Sequence, residues 1–165
     1  MRVEYINPFV EATLNVLKEV LNPDGARNPE EVVKRGDLYL KEASMQIMGV
    51  AALVGLAGDV EGRVLFDMTK DTALKVAGAM NYGETFTTLD DMAKATITEL
   101  ANMITAQAVT KLHELGFKFD LTPPALFSGE NMEIANTLKV EALIVPMELG
   151  PIGKIEVNVV IRERV

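Results

Sequence analysis

The chain contains 165 residues, a length that suits one domain, and 48% of them are hydrophobic, which is enough for a substantial core. Its formal net charge of −8 argues against nucleic acid and against an anionic membrane as the main partner, because both would repel it. The absence of cysteine excludes disulfides, thiol catalysis and zinc–cysteine sites.

The N-terminal half predicts a helix, three strands and a shorter helix. The first helix is expected from about Pro8 to Leu21, where Phe9, Ala12 and Val16 fall on one face. Turn-forming residues follow between Asn22 and Pro29 and indicate a loop. Strands are expected at Leu38–Ser44, Ile47–Ala57 and Arg63–Met68, with a turn at Gly58–Gly62 and the shorter helix at Asp71–Met80.

The most apolar stretch, Ile47–Ala57, is too short to cross a membrane and is interrupted by Gly49 and Gly55, so it is interpreted as a buried strand. The N-terminus shows no signal region. Together these features predict a cytoplasmic protein.

The C-terminal half predicts a long helix and three more strands. Thr88–Leu115 contains no glycine or proline, with Thr88 as a candidate N-cap and Gly116 as the residue that ends the helix. One apolar stripe comprises Ile97, Leu100, Ala101, Ile104, Ala108, Leu112 and Leu115. The strand-like runs are Lys118–Phe127, Leu138–Pro146 and Lys154–Arg162.

The two halves repeat one pattern, a helix with three strands, although their residues barely match. Short connections favour antiparallel pairing. We therefore expect a single α+β domain over residues 1–165, with pseudo-duplicated helix and three-strand meander units and a mainly antiparallel sheet packed against two long helices. The last strand, Lys154–Arg162, could extend a sheet across a subunit boundary, or Arg162, Glu163 and Arg164 could blunt an edge.

Glu99 and Asn102 lie three residues apart on the predicted long helix and face away from its apolar stripe. Such pairs are common by chance on solvated faces. Here, however, the neighbours are small or adaptable, which would let another protein approach closely. The residues expected to dock a partner in this way are Ala95, Thr98, Met103 and Ala106.

Several kinds of chemistry can be set aside. The chain has one histidine, His113, so a multi-histidine metal site cannot form, and neither a nucleophile elbow nor a P-loop is present. Asp90 and Asp91 suit the first turn of a helix, so no metal site is expected there. The Asn102 amide can donate and accept hydrogen bonds at once, which is what holding a water in line with a phosphoryl group requires. The Glu99 carboxylate could pair with a lysine of the partner.

Four segments carry recognisable motifs: Thr98–Ile104, Gly62–Met68, Leu121–Gly129 and Tyr5–Phe9. Together they resemble the CheX/CheC/FliY family of chemotaxis phosphatases, most closely its CheX-type members. Thr98–Ile104 is similar to the family's Glu-x-x-Asn signature helix. Gly62–Met68, with the helix Asp71–Met80 after it, resembles the family's strand–helix unit. Leu121–Gly129 is similar to its Pro-Pro corner, and Tyr5–Phe9 to CheX openings. The resemblance covers nearly the whole chain.

The resemblance implies hydrolysis of the aspartyl phosphate of a CheY-like response regulator, which ends the signal to the flagellar motor. Asn102 would orient the hydrolytic water, and Glu99 would pair with the receiver's lysine. The protein would bring no cofactor of its own, since the required Mg²⁺ would belong to the receiver. The first helix carries Leu14 where a second Asn would be needed three residues after Glu11, so it should be inactive. One competent helix fits CheX members, which form homodimers.

Two alternatives remain open at this point. The chain could be a non-catalytic flagellar switch or adaptor module related to the FliM middle domain, or a phosphatase relic that only sequesters the regulator. Fold alone would not separate these readings. The sequence also departs from the family in one place, because Ala106 stands where members commonly have glycine, and the added methyl could alter the choice of partner.

Overall fold

The structure is a computed structural model that describes residues 3–41, 44–135, 138 and 140–164. Within these residues, eight strands form one sheet and two short strands form another. The helices are α1 (Val3–Val20), α2 (Pro29–Val32), α3 (Lys70–Met80) and α4 (Asp91–Glu114). The strands are β1 (Lys34–Arg35), β2 (Tyr39–Lys41), β3 (Met45–Gln46), β4 (Val50–Gly58), β5 (Val60–Met68), β6 (Phe119–Leu121), β7 (Ala125–Ser128), β8 (Glu133–Ile134), β9 (Ala142–Glu148) and β10 (Lys154–Glu163).

The large sheet has the order β1-β9-β10-β5-β4-β6, and its paired strands are antiparallel. This confirms the predicted α+β class. The strand order differs from that of two simple meanders, because the first strands of each half pair with the hairpin of the other half. Strands β6 and β7 pair with β4, whereas β1 and β2 pair with β9. The two halves are therefore interlocked within one sheet.

Strand β10 lies in the middle of the sheet. It pairs with β5 from Ile155 to Glu163 and with β9 from Lys154 to Val159. From Lys154 to Val159 the strand therefore has a partner on both sides, which leaves no free edge, whereas the residues from Val160 to Glu163 pair with β5 alone. For this last segment, extension across a subunit boundary and a blunted edge both stay predictions. Its buried residues explain the position, since Val157 and Val159 on one face and Val160 on the other are all covered by neighbouring strands or helices.

Helix α1 begins at Val3, five residues before the predicted start, and Pro8 lies inside it. Proline usually marks a first turn because it lacks an N–H donor. Here the earlier turn is stabilised by packing, since buried Tyr5 meets Phe117 in an edge-to-face contact with ring centroids 4.8 Å apart. A distant contact thus overrides the local signal.

The long helix α4 is capped by Asp90, not by Thr88. The Asp90 carboxylate accepts a hydrogen bond of 2.8 Å from the Ala93 N–H, as a strong N-cap does. The helix ends as predicted at Gly116, whose φ of +94° suits glycine, and the Phe117 N–H donates to the Leu112 carbonyl in a Schellman motif. The apolar stripe is buried except for Leu115, which is 52% exposed because it lies at the C-cap.

The predicted strand Lys118–Phe127 is two strands, β6 and β7. Pro123 and Pro124 interrupt it because they cannot donate to a sheet ladder. Thr122 bridges the gap, since its N–H donates to the Gly55 carbonyl and its hydroxyl accepts from the Gly55 N–H. Residues 42, 43 and 139 of the predicted strands Leu38–Ser44 and Leu138–Pro146 lie outside the described residues.

Two apolar clusters lie on opposite faces of the sheet. The larger one joins α1, α3 and α4 to the sheet, and the smaller one lies under β3 and β8 on the other face. Helix α4 contacts α1 along its side, so its remaining face is turned outward. None of the described helices is both long enough and apolar enough to span a bilayer.

Candidate functional site

The outward face of α4 carries both residues singled out from the sequence. Glu99 and Asn102 are exposed, whereas their neighbours Leu100 and Ala101 are buried. In an α-helix, residues three apart are separated by about 4.5 Å along the axis and by about 60° around it. The carboxylate and the amide are therefore adjacent and project in similar directions.

Small side chains surround this pair. Ala95 and Ala106 are exposed, and Thr98 is partly exposed. We call the surface formed by Ala95, Thr98, Glu99, Asn102 and Ala106 the α4 ridge. Because most of its side chains are short, the helix backbone can come close to a partner.

The hydroxyl of Thr98, the threonine beside the pair, is hydrogen-bonded within its own helix. The Thr98 hydroxyl donates to the Lys94 carbonyl at 2.9 Å, so its one donor is not available to a water or to a partner. Among the described residues, neither the Glu99 carboxylate nor the Asn102 amide has a hydrogen-bond or ion-pair partner. Within the α4 ridge as described, the two polar side chains without such a partner are thus the two that carry the predicted chemistry.

A groove of about 610 Å³ between α1 and α4 borders the α4 ridge. Met103, the fourth residue expected to dock a partner, is partly exposed and lines it together with Ala106. On the α1 side, Glu11 lines the groove, but Leu14 is partly buried and packs on the core. The structure thus brings the predicted docking residues together on one surface. On α1, Leu14 stands at the position equivalent to Asn102, and the amide of Asn15, four residues after Glu11, lines the same groove.

A second polar cluster lies on the opposite face of the sheet. Asp67 and Glu156 are directly opposite each other on β5 and β10. Tyr39 donates a hydrogen bond to Glu156, and the Lys154 amine lies 3.3 Å from the same carboxylate. Burial, followed by the neighbouring Glu156 charge, raises the pKa of Asp67 from 3.8 to about 6, although the Met48 N–H donates to it and partly offsets this. Burial and the Glu156 hydrogen bond raise the pKa of Tyr39 to about 12.

We predict that Asp67→Asn stabilises the protein at pH 7.5 and not at pH 4. Folded Asp67 binds its proton more tightly than the unfolded chain does, so its charged form destabilises the fold above about pH 6, and this penalty disappears as the pH falls toward 3.8. The asparagine oxygen can still accept the Met48 N–H. We expect a gain of about 1 kcal/mol in the free energy of unfolding at pH 7.5, measured by urea denaturation.

Asp120→Asn is the matched control, because Asp120 is exposed on strand β6. It should change the free energy of unfolding by less than about 0.5 kcal/mol at both pH values. Equal effects of Asp67→Asn at pH 4 and pH 7.5 would show that the Asp67 carboxyl does not titrate as described. No role in the α4 chemistry follows from this cluster, since it lies on the far face of the sheet.

Two features of the structure have no clear signal in the sequence. The Asp67–Glu156 pair depends on strand register, which no local pattern reveals. Tyr82, in the loop after α3, is fully exposed with a φ of +58°, and the neighbouring Gly83 was the only local signal of a helix end there. Among the described residues, no group of three acidic or histidine side chains is arranged to hold a metal ion.

Known proteins of one family resemble this chain in sequence and in fold. The sequence profile of the family described as "Chemotaxis phosphatase CheX" matches residues 50–148. The CheY-P phosphatase CheX of Thermotoga maritima is 36% identical over 85 residues, which are 52% of this chain and 55% of that protein. The alignment thus covers little more than half of that relative.

Two solved structures match nearly the whole chain. A CheX–CheY–BeF3–Mg²⁺ complex from Borrelia burgdorferi contains a chain that is 44% identical, with a TM-score of 0.81 over 98% of this chain and 100% of that one. A CheC-like superfamily protein from Shewanella sp. PV-4 is 27% identical, with a TM-score of 0.83 over 98% of this chain and 99% of that one. Because the family profile covers more than half of the sequence, the chain belongs to the CheX family of chemotaxis phosphatases.

Proposed function

We propose that this protein is a phosphatase that accelerates hydrolysis of the aspartyl phosphate on a CheY-like receiver domain in the cytoplasm. The observation that carries the proposal is the exposed, unpaired Glu99–Asn102 pair on the α4 ridge. The protein supplies neither a nucleophile nor a metal. It inserts an amide and a carboxylate into a site that the receiver already possesses.

Asn102 is proposed to orient the attacking water. Its side-chain oxygen accepts a hydrogen bond from the water, which directs a lone pair of the water oxygen at phosphorus. A bond forms between that oxygen and phosphorus, and the bond from phosphorus to the aspartate oxygen breaks. The products are a free aspartate carboxylate and dihydrogen phosphate, which releases one proton to solvent near neutral pH. Positioning is an effective contribution here because phosphoryl transfer requires an in-line arrangement.

Glu99 is proposed to set the register of the complex. A lysine beside the phosphorylation site of the receiver would pair with its carboxylate, one turn from Asn102, and so fix where the amide is placed. The Mg²⁺ would be held by the receiver and would neutralise charge on the phosphoryl oxygens. The Borrelia burgdorferi relative was solved in a complex with CheY, BeF3 and Mg²⁺, which supports this division of roles.

The rest of the α4 ridge is proposed to allow close approach. Ala95, Thr98 and Ala106 present short side chains, and Met103 lies at the border of the groove between α1 and α4. Ala106 adds one methyl group relative to the glycine common in the family. We propose that this methyl narrows the range of receivers without preventing water positioning, because Ala106 lies one turn away from Asn102.

The deciding experiment follows the decay of phosphorylated receivers. Each CheY-like receiver domain encoded by the same genome is loaded with acetyl phosphate and Mg²⁺, and its dephosphorylation is measured with and without this protein. A substoichiometric amount should accelerate decay of at least one receiver with multiple turnovers. Binding without acceleration would favour the adaptor or sequestering alternatives, and an absence of both would overturn the proposal.

The homodimer implied by family resemblance also stays a proposal. We predict twice the 18.0 kDa chain mass in light scattering of the purified protein at micromolar concentration. Dimerisation should leave the α4 ridge accessible, since the ridge must reach the receiver. A monomeric mass across the whole concentration range, with full phosphatase activity, would contradict the prediction.

A further inference from the structure

Helix α3 ends in a Schellman motif that carries tyrosine where glycine is usual. The N–H of Gly83 donates to the Gly78 carbonyl at 2.9 Å, which places Tyr82 at the left-handed position of the motif with a φ of +58°. The same motif at the end of α4 uses Gly116 at this position. A bulky side chain with a positive φ raises the free energy of the folded state by about 1 kcal/mol or more. Tyrosine at this position therefore destabilises the fold unless its side chain makes a compensating contact.

The Tyr82 side chain does not offset this destabilisation by packing against the fold. Its side chain is 104% exposed relative to the reference state, so it contributes no burial to the folded chain. The loop around it is nevertheless hydrogen-bonded, because the Asn81 and Gly83 N–H groups donate to the Gly78 carbonyl and the Glu84 N–H donates to the Asn81 carbonyl. The strained backbone therefore presents the Tyr82 ring to solvent from a hydrogen-bonded support.

This support is tied to the helix that carries the α4 ridge. The Asn81 side chain donates to the Ala77 carbonyl at 2.7 Å and to the Thr96 hydroxyl at 2.9 Å. Thr96 is one turn before Glu99 on α4, so it lies about 4.5 Å from it along the helix axis. Tyr82, the residue after Asn81, thus stands beside the N-terminal end of the ridge.

An exposed methionine, Met92, lies on the same face of α4 as Glu99. Met92 is 54% exposed and lies seven residues before Glu99, which puts the two side chains within about 20° of each other around α4. Met92 and Glu99 therefore lie on one face of α4, and Tyr82 directly follows Asn81, which is hydrogen-bonded to Thr96 of the same helix. We call the exposed side chains of Tyr82 and Met92 the Tyr82 patch. Methionine adapts to a partner's shape, and tyrosine is enriched among residues that dominate binding energy.

The surface area that a complex must bury also favours a contact outside the α4 ridge. A specific interface usually buries about 800 Å² on each partner, or somewhat less for a transient one. The α4 ridge consists mostly of alanine, threonine and other short side chains, so it offers little apolar area. An aromatic side chain can supply about 150–250 Å² by itself.

We propose that Tyr82, together with Met92, anchors the phosphorylated receiver domain beside the Glu99–Asn102 pair. The inference rests on the proposed function for the identity of the partner. Tyr82 does not touch the reacting atoms. It raises the affinity of the complex and leaves the hydrolytic step to Asn102.

The test compares Tyr82→Ala, Tyr82→Gly and Tyr82→Phe in the full-length protein. The acceleration of receiver dephosphorylation is measured over a range of receiver concentrations. Tyr82→Ala and Tyr82→Gly should each raise the half-saturating receiver concentration about 10-fold with the maximal rate unchanged, whereas Tyr82→Phe should stay close to wild type. Affinity for the beryllofluoride-loaded receiver should fall by the same factor.

The glycine variant separates docking from folding. Glycine fits the left-handed position, so Tyr82→Gly should not lower the melting temperature even though it weakens docking. Phe127→Ala is the control for loss of an exposed aromatic, because Phe127 is opposite Ala51 on the far face of the sheet and should leave half-saturation unchanged.

The possible failures are distinguishable. If the wild type accelerates dephosphorylation and both Tyr82→Ala and Tyr82→Gly stay within twofold of it, the docking inference is wrong. A melting temperature that falls in parallel with affinity in Tyr82→Gly would also overturn it, in favour of a structural role. If the wild type binds the beryllofluoride-loaded receiver without accelerating decay, the proposed function fails and the affinities of the variants still decide the docking inference. No binding by the wild type would overturn both.

Discussion

Replacement of Asn102 by alanine is expected to lower the protein-dependent rate of receiver dephosphorylation about 100-fold while leaving receiver binding nearly intact. The amide is exposed and, within the described residues, makes no contact that supports the fold, so its removal should not affect folding. Its proposed role is to place a water, which matters in the transition state and little in the ground-state complex. Single-turnover decay of an acetyl-phosphate-loaded receiver at saturating concentration of the variant measures the effect directly.

Glu99→Ala tests whether the two residues of the pair have different roles. Glu99 is also exposed on the same helix, but its proposed role is to pair with a lysine of the receiver. Its loss should therefore act mainly on the half-saturating concentration and depend on ionic strength, unlike the loss of Asn102. If both variants lowered only the affinity, the pair would be a binding element, and the adaptor alternative would gain. If Asn102→Ala kept the wild-type rate, water positioning by its amide would be excluded.

The exposure of Glu99 and Asn102, the candidate site, was predictable because it depends only on the helical periodicity of α4. Once α4 was expected to bury Ile97, Leu100 and Ile104, the outward direction of Glu99 and Asn102 followed from 3.6 residues per turn. Tyr82 was not predictable in the same way. Its exposure depends on tyrosine occupying a position where local rules favour glycine, and its nearness to α4 depends on the hydrogen bond between Asn81 and Thr96.

For the fold as well, positions fixed by local sequence were predicted correctly, and positions fixed by distant contacts were not. Gly116 was correctly predicted to end α4, because a left-handed residue at a helix end is a local requirement that glycine meets. The start of α1 was predicted five residues late, because the contact of Tyr5 with Phe117 is invisible in the local sequence. The central place of β10 was missed for a related reason. Strand-like patterns predict that a strand exists, but its partners depend on the exchange of edge strands between the two halves.

Gly62→Ala is expected to prevent folding or to lower the free energy of unfolding by more than about 4 kcal/mol. Gly62 lies within β5, where it is paired with Leu56 on one side and Ile161 on the other. A Cβ at this position would lie 1.9 Å from the Val160 carbonyl oxygen and 2.8 Å from its carbonyl carbon. Both atoms belong to the backbone of the central strand β10, so the clash could be relieved only by separating β5 from β10.

Gly25→Ala distinguishes this clash from ordinary backbone strain. Gly25 has a φ of +68°, but an added Cβ would meet nothing within 4 Å. This variant should lose only about 1 kcal/mol, the cost of a left-handed alanine. Circular dichroism during thermal and urea denaturation measures both variants. A Gly62→Ala protein as stable as Gly25→Ala would mean that β5 and β10 do not approach as described. Because α4 is packed on this sheet, the presentation of Glu99 and Asn102 would then lose its structural basis.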